Sequence, residues 1–540
     1  MTEYYLKPTI KAEPLIWRWY AWSYLIPPLT AGCNIAERHL KIMQSYVNNP
    51  QLHALANKDP KLIGGPFVDL EGESVEEIKE LINVTLKDCA KLIELHNAYK
   101  EVDILLQNEN GASLEQLYKK LPQLLRGFVE LVYDLNNRPS LRLIEPFLYK
   151  TYYDDRFQEI ALSNTMGDFR KFVLSTPRLD STPIQTPKLT QKEEVYLKIP
   201  FADKRLDSLF RLKEQPGDLK VINELFDIPD HKRNLFESFF TFTVPKQVGD
   251  RNYEGEDIRL RYFGHACMLV QTKSISILFD PVISYKIEND IPRYTFEDLP
   301  DQIDYVVITH NHQDHLMLET LLQLRYKISN VIFPANLKGS LADPSIKEIM
   351  SRVGFSGLIE LTEMQTLPIQ DGFIMGLPFL GEHCDLNIQS KLSYYINLKG
   401  KKFLFAADSN NIDEYIYSNI FDITGEIDML FLGMECEGGP LTWLYGPLLT
   451  KPIARVFDRS RTLSGSNFEK AWSIVNNLKC KYAYVYAMGQ EPWLRHVMAL
   501  NYTPDSIQIT ESNKFVTKCR ENGIEAERLY GKKEWIFRVA

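Results

Sequence analysis

The stretch DYVVITHNHQDHL, Asp304 to Leu316, runs from apolar residues straight into three histidines and an aspartate packed within six positions. DYVVIT reads as a buried strand. The end of a strand is where open α/β sheets deliver side chains into a site. Side chains alternate along an extended segment, so His310 and His312 can face one side. Asp314 and His315 then fall in the turn and can face a second ion. Imidazole together with carboxylate suits zinc or iron, not calcium.

Outward from this loop, residues beyond 255 show short β-like runs. They are IRLRYF (258–263), CMLVQ (267–271), SISILF (274–279), DYVVIT (304–309), FIMGLPF (373–379), LSYYINL (392–398), KFLFAA (402–407), MLFLG (429–433) and YAYVYA (482–487). Helical stretches such as HLMLETLLQLRYK and NFEKAWSIVNNL lie between them, which indicates an α/β layered domain. Residues 1 to about 140 read as helix-rich. Ser74-x-x-Glu77 looks like a capping box ahead of Ile78, Leu81, Ile82, Leu86 and Ile93 at helical spacing. Ser113-x-x-Gln116 repeats the signal, and Pro122 must kink or restart the helix that follows. Pro177, Pro183, Pro187 and Pro200 mark residues 176–200 as an extended, loop-like segment. The polar, two-glycine stretch Gly249 to Gly255 divides the chain into domains 1–250 and 251–540.

The chain has 540 residues, 44% hydrophobic and 25% charged, which suits more than one globular core. Its 62 basic and 71 acidic residues give a net charge of −9. That mild acidity argues against a nucleic-acid binder. The opening MTEYYLKPTIKAEPL lacks the basic start and apolar run of a secretory leader. The apolar stretch Trp17 to Thr30 contains Arg18 and Pro27-Pro28 and is too short to span a bilayer, so no membrane role is expected. Seven scattered cysteines without a CxxC suggest a reducing, cytoplasmic setting.

HxHxDH is the signature of the metallo-β-lactamase superfamily. Gly264-His265 and Phe279-Asp280-Pro281 stand where such proteins carry similar residues, and Asp408, after the strand KFLFAA, occupies the usual place of the metal-bridging aspartate. The remaining ligand separates two chemistries. Glu382 and His383 are adjacent, and in an extended segment one of them faces the metals. His383 would make the site hydrolase-like; Glu382 would give an oxygen-richer shell that favours iron over zinc. His496 is either a further hydrolase ligand or a histidine on a helix face.

Beyond this motif the sequence resembles the diiron β-hydroxylases of nonribosomal peptide assembly lines. The stretches ERHLKIMQSY, LIGGPFVDL, GMECEGGPLTWLYGPLL and YAMGQEPWL carry the resemblance over nearly the whole chain. It implies an αββα metallo-β-lactamase fold preceded by a helix-rich mixed α/β N-terminal domain. It further implies that His310, His312 and Glu382 hold one iron, that Asp314 and His315 hold the other, and that Asp408 bridges them. His496 then has no ligand role. Glu435 is either an acid near the site that tunes a ligand or relays protons, or a structural loop carboxylate. The implied reaction is O2-dependent β-hydroxylation of an aminoacyl thioester. The substrate rides on the phosphopantetheine arm of a carrier (thiolation) domain, and an external donor supplies electrons. The N-terminal domain would serve as channel wall, carrier-docking surface or homodimer interface. Trp443 and Tyr445 either line the acyl pocket or pack in the core, and the aromatic run Trp17, Trp19, Tyr20, Trp22, Tyr24 reads as core or interface. The alternative is a zinc-dependent hydrolase of lactonase or phosphodiesterase type.

Overall fold

Period-two alternation builds the catalytic half. In Ile258–Gly264, Ile258, Leu260 and Tyr262 point into one core while Phe263 points into another. Cys267–Gln271 and Ser276–Phe279 divide the same way: Met268, Val270, Ile277 and Phe279 on one side, Cys267, Leu269 and Leu278 on the other. Strands buried on both faces need a sheet covered on both faces. The computed structural model shows this arrangement and describes residues 3–164, 170, 172–179, 194–245, 249–336 and 338–539.

Two seven-stranded sheets pack face to face. The first runs Leu358–Leu361, Ile328–Pro334, Ile303–Val307, Ser276–Phe279, Cys267–Gln271, Ile258–Gly264, Lys533–Phe537. The four strands from Leu358–Leu361 to Ser276–Phe279 are parallel neighbours, and Ile277 pairs with Tyr305 and Val306 with Val331. The second runs Thr366–Ile369, Gly372–Leu377, Ser393–Leu398, Lys401–Phe405, Met429–Gly433, Tyr482–Tyr486, Glu525–Arg528. Phe279, Phe405 and Phe431 stack between the sheets, with centroids 4.1 and 5.0 Å apart. Helices Tyr415–Thr424, Phe468–Leu478 and Ile507–Glu521 cover the outer face of the second sheet. The nine strands read from the sequence all form, with ends shifted by two residues or fewer.

The outer face of the first sheet is covered from the N-terminal half. One apolar core contains Leu29, Ile35, Leu40 and Leu95 together with Leu278, Val306, Leu321 and Leu444. The strand Ile10–Ile16 pairs with Trp19–Tyr20 and Gln158–Asn164, and helix Pro28–Asn34 continues through a π-type turn, Ile35–His39, into Leu40–Asn48. Trp19, Tyr20, Trp22 and Tyr24 are buried. Trp19 stacks on His39 at 3.9 Å, and the Tyr20 hydroxyl donates to Glu319 across the two halves.

Three local readings change. Ser74 precedes helix Val75–Asp88, yet its φ of 59° is left-handed and its side chain makes no cap. A capping serine needs extended backbone to reach the third amide, so the capping box does not form. After Ser113 the chain makes two 3-10 turns, Leu114–Lys119 and Gln123–Leu125, not an α-helix; Ser113 caps the amide of Glu115, and Pro122 separates the turns. Within the proline-rich segment, Glu194–Lys198 is a strand on Gln158–Asn164, because Val195 and Leu197 alternate into the core. Pro183 and Pro187 lie outside the described residues. All seven cysteines are free thiols. Among the described residues no helix is long and apolar enough to cross a membrane.

A buried ionic network ties the halves together. Arg170 donates to Glu13 and to Glu319 at 2.9 Å each, and Arg178 donates to Glu13 at 3.0 Å. Tyr20 and Tyr285 donate to Glu319, each at 2.7 Å. Burial raises the Glu13 carboxyl, but Arg178 and Arg170 override it and hold it down at about 2. A depressed carboxyl contributes stability above its unfolded value and loses it as pH falls through its folded value. Glu13→Ala strands the buried Arg178 guanidinium, removes one of the two carboxylates on Arg170, and is expected to cost ~3–5 kcal/mol in equilibrium denaturation. The acid-induced loss of stability between pH 4.5 and about 2 should shrink in that variant.

Candidate metal centre

The strand Ile303–Val307 ends against its neighbours and hands the chain to the histidine loop. Asp280, at the end of the adjacent strand, fixes the start of that loop. Its carboxylate accepts the Thr309 amide at 2.8 Å and the Thr309 hydroxyl at 2.6 Å. The same carboxylate lies 2.8 Å from His315 Nδ1. The Thr309 hydroxyl spends its one proton on Asp280, so it accepts from His310 Nδ1 at 3.0 Å. These bonds place the proton of both rings on Nδ1 and leave Nε2 facing the site. This is the arrangement that ligating histidines use.

Four other elements complete the site. The loop after Gly372–Leu377 brings Glu382, whose Oε1 lies 2.8 Å from His312 Nδ1. The Tyr445 hydroxyl meets the far side of that ring, 3.1 Å from His312 Nε2. Asp408 follows Lys401–Phe405 and places Oδ2 2.9 Å from His315 Nε2. Gly433 is required here, because a Cβ at that position would lie 2.5 Å from Asp408 Oδ1. His265 turns toward Asp314: the Gly489 amide donates to its Nδ1, so Nε2 carries the proton and donates to Asp314 Oδ2 at 3.1 Å. Asp280, His265, Glu382 and Ala407 all hold positive φ without being glycine, at 36°, 51°, 66° and 46°. Such strain persists where surrounding structure enforces it, and it clusters at functional sites.

The result is a set of converging donors. His310, His312 and Glu382 form one group whose ligand atoms lie within 4.8 Å of one another, and His310, His315 and Asp408 form a second. His265, Asp314 and His315 form a third, with His265 committed to Asp314 as above. His310 Nε2 and Asp408 Oδ1 are buried with no hydrogen-bond partner, and Glu382 Oε2 is buried beside His383 Nδ1 at 2.8 Å. His310 Nε2 lies 3.9 Å from Glu382 Oε2 and 3.8 Å from Asp408 Oδ2. Unpaired buried acceptors around one space are costly unless a cation joins them. Carboxylate and imidazole donors fit a transition metal.

The electrostatics agree with a cation site. Burial raises Glu382, yet His312 and His383 hold it down at about 2. Burial opposes the charged form of His315, but Asp408, Asp314 and Asp280 push its pKa well above the usual range. Burial and the neighbouring imidazoles keep His310 well below it, hence neutral. Burial, then Asp408, Asp314 and Glu382, pushes the Glu435 carboxyl well above the usual carboxylate range.

The sequence left Glu382 and His383 open, and they have separate places. Glu382 joins the donors; His383 stands behind it, stacked on His312 at 4.5 Å, with Nδ1 2.8 Å from Glu382 Oε2. His496 is far from the donors, buried in the ionic network 3.7 Å from Glu319 Oε2. A cavity of about 630 Å³ opens from His312, Asp314, Glu382 and Asp408 past Glu435 and Trp443. Lys61 to Phe67 of the N-terminal half form one wall. Trp443 lines this cavity and donates from Nε1 to Gly64 O at 3.0 Å, whereas Tyr445 is core and reaches the site only through His312.

Comparison with known proteins adds the chemistry. Residues 5–244 match the diiron non-heme β-hydroxylase N-terminal domain, and residues 276–436 match the β-lactamase superfamily domain. The chain is 36% identical to the 4-amino-L-phenylalanyl-(CmlP-peptidyl-carrier-protein) 3-hydroxylase of Streptomyces venezuelae, over 98% of each sequence. The chain belongs to the diiron non-heme β-hydroxylase family. As a diiron β-hydroxylase it also superposes on the crystal structure of CmlA from Streptomyces venezuelae with a TM-score of 0.90 and 35% identity, covering 99% of this chain and 100% of that one. A CmlA mutant gives 0.88 at 34% identity with the same coverage. Membership in this β-hydroxylase family favours oxygen chemistry over the zinc-hydrolase alternative.

The residues alone assign no role to Thr309, Asp280, His265 or Gly433, and Tyr445, read as acyl-pocket lining or core, is core and supports His312. The only signal was that Gly264-His265 and Phe279-Asp280-Pro281 stood beside strand ends. Asp280→Asn leaves one acceptor oxygen where the carboxylate has two, so the Thr309 amide and His315 Nδ1 cannot both be satisfied, and it is expected to weaken metal binding ~10–100-fold, measured by chelator competition. Metal loading must displace the proton held between His315 and the carboxylates, so apparent affinity should fall as pH is lowered. Loading unbuffered protein with ferrous ion should release protons, which a pH indicator records.

Proposed function

We propose that this enzyme β-hydroxylates an aminoacyl group carried as a thioester on the phosphopantetheine arm of a nonribosomal peptide synthetase carrier domain. The observation that carries the proposal is the convergence of the buried donors His310, His312, His315, Glu382 and Asp408, with His310 Nε2 left unpartnered among them. It occurs in a chain so similar to a hydroxylase of a carrier-bound amino acid. His310, His312 and Glu382 would hold one iron, Asp314 and His315 the other, and Asp408 would bridge them. When bound, two ferrous ions supply the O2 activation and hydrogen abstraction that no side chain provides. The reaction consumes O2, two electrons and two protons to give the β-hydroxy group and water, so an external electron donor is required.

The chain's own residues have separable tasks. Asp280 and Thr309 orient His315 and His310, and Tyr445 steadies His312 with Nδ1 toward Glu382. Glu435 lines the cavity beside His312, Asp314, Glu382 and Asp408, a position that suits it to proton delivery at the reacting end. The Trp443 indole and the Lys61–Phe67 wall confine the acyl group and limit water.

Intact-protein mass spectrometry of aminoacyl-loaded carrier domains tests the function. Wild-type enzyme with iron, reductant and O2 should add one oxygen atom to one of them. Cleavage of the thioester to free carrier thiol, with zinc bound stoichiometrically, would overturn the proposal in favour of a hydrolase. Glu382→Ala should lose iron and at least ~100-fold of activity, while His383→Ala should retain both irons. The reverse outcome would show that the ligand register is wrong. Glu435→Gln should keep its iron and lose turnover.

A further inference from the structure

The metal cavity is a continuous space whose deep end is lined by His312, Glu382 and Asp408 and whose outer lining includes Lys61, Arg455 and Arg459. These three cations come from opposite halves of the chain. Among the described residues, none of their side chains makes a hydrogen bond or ion pair. The nearby carboxylate, Asp458, is already committed to the Thr442 amide and hydroxyl, at 2.8 and 2.7 Å. A cluster of free cations is unusual on a chain of net charge −9.

The helix Arg455–Ser460 beside them buries no residue. It exposes Val456 and Phe457, which are 69% and 61% accessible, and Leu62 and Ile63 across the cavity are 43% and 42% accessible. A six-residue helix has no stability of its own. It is held here through the Asp458 bonds to Thr442, with its apolar side chains turned outward.

We infer that this rim, Lys61–Ile63 with Arg455–Arg459, is the docking surface for the carrier domain. Lys61, Arg455 and Arg459 receive the phosphodiester of the pantetheine arm, and Val456 and Phe457 pack against an apolar patch of the carrier. The charge argument is direct. The phosphodiester is anionic at every physiological pH and must stop at the mouth while the thioester reaches the metals. Arginine is the residue best suited to grip phosphate oxygens in pairs. This inference rests on the carrier-dependent function proposed above.

The test uses the full-length iron-loaded enzyme and the carrier domain that the mass-spectrometric assay identifies. Wild-type enzyme should bind the phosphopantetheinyl form of that carrier more tightly than its unmodified form, and added salt should weaken the difference. The double variant Arg455→Glu/Arg459→Glu should raise KM for the loaded carrier roughly tenfold or more. The loss should sit in KM, the preference for the phosphopantetheinyl form should vanish, and iron content should stay at the wild-type level. Val456→Ser/Phe457→Ser should weaken both carrier forms alike. If the arginine variant keeps wild-type KM and form preference, the docking assignment is overturned while the hydroxylase reading stands. If wild-type enzyme hydroxylates no loaded carrier, the underlying reading fails instead. If Val456→Ser/Phe457→Ser changes the sedimentation of the enzyme alone and leaves KM unchanged, the face is a contact between copies of this chain, and the inference is overturned.

Discussion

The carboxylate of Asp280 is the tie on which the site depends. It is fully buried and gathers the amide and hydroxyl of Thr309 and the Nδ1 proton of His315, while its own amide bonds to Val307 O. A charged group in that position is tolerable only because three donors satisfy it. In return it fixes the register between two parallel strands and the tautomers of two histidines. Each remaining donor is held by a comparable local device: Tyr445 behind His312, His265 behind Asp314, and the missing Cβ of Gly433 beside Asp408. These bonds fix how each side chain is aimed, and His310 Nε2 is left unpartnered among them.

The N-terminal half belongs to the same physical unit. Its core residues pack into the outer face of the first sheet, and Glu13, Tyr20 and Arg170 connect to Glu319 on the helix that directly follows the histidine loop. Arg38, in the π-type turn, donates to the carbonyls of Trp443 and Leu444 at 2.7 and 2.9 Å. That turn therefore holds the segment from which Trp443 enters the cavity. A superfamily sandwich alone would leave this cavity open along the side that Lys61 to Phe67 now close. The N-terminal half thereby supplies a wall of the cavity that opens from His312, Glu382 and Asp408.

Much of this was legible in the residues. Strands such as Cys267–Gln271 and Met429–Gly433 are apolar on both faces and declare themselves. The histidine loop identifies its own chemistry. Ile328–Pro334 escaped because polar Ser329 and Asn330 interrupt its start and only its second half is buried, and Lys533–Phe537 because it is only partly buried and mixes charged with apolar positions. The choice between Glu382 and His383 rested on an extended segment, and the loop is not extended: Gly381, Glu382, Cys384 and Asp385 all have positive φ. Alternation does not apply there, so no local argument separates the two side chains. His265 and Tyr445 reach the site only through tertiary packing, and Ser74 fails as a cap because a left-handed φ turns its hydroxyl away.

In the proposed two-iron site Glu382, not His383, is a ligand. Anomalous diffraction at the iron absorption edge from crystals of anaerobically iron-loaded enzyme tests it most directly. Two iron peaks are predicted, one coordinated by His310, His312 and Glu382, the other by Asp314 and His315, with Asp408 touching both. A peak coordinated by His383 in place of Glu382, or a single metal whose edge is that of zinc, would contradict it.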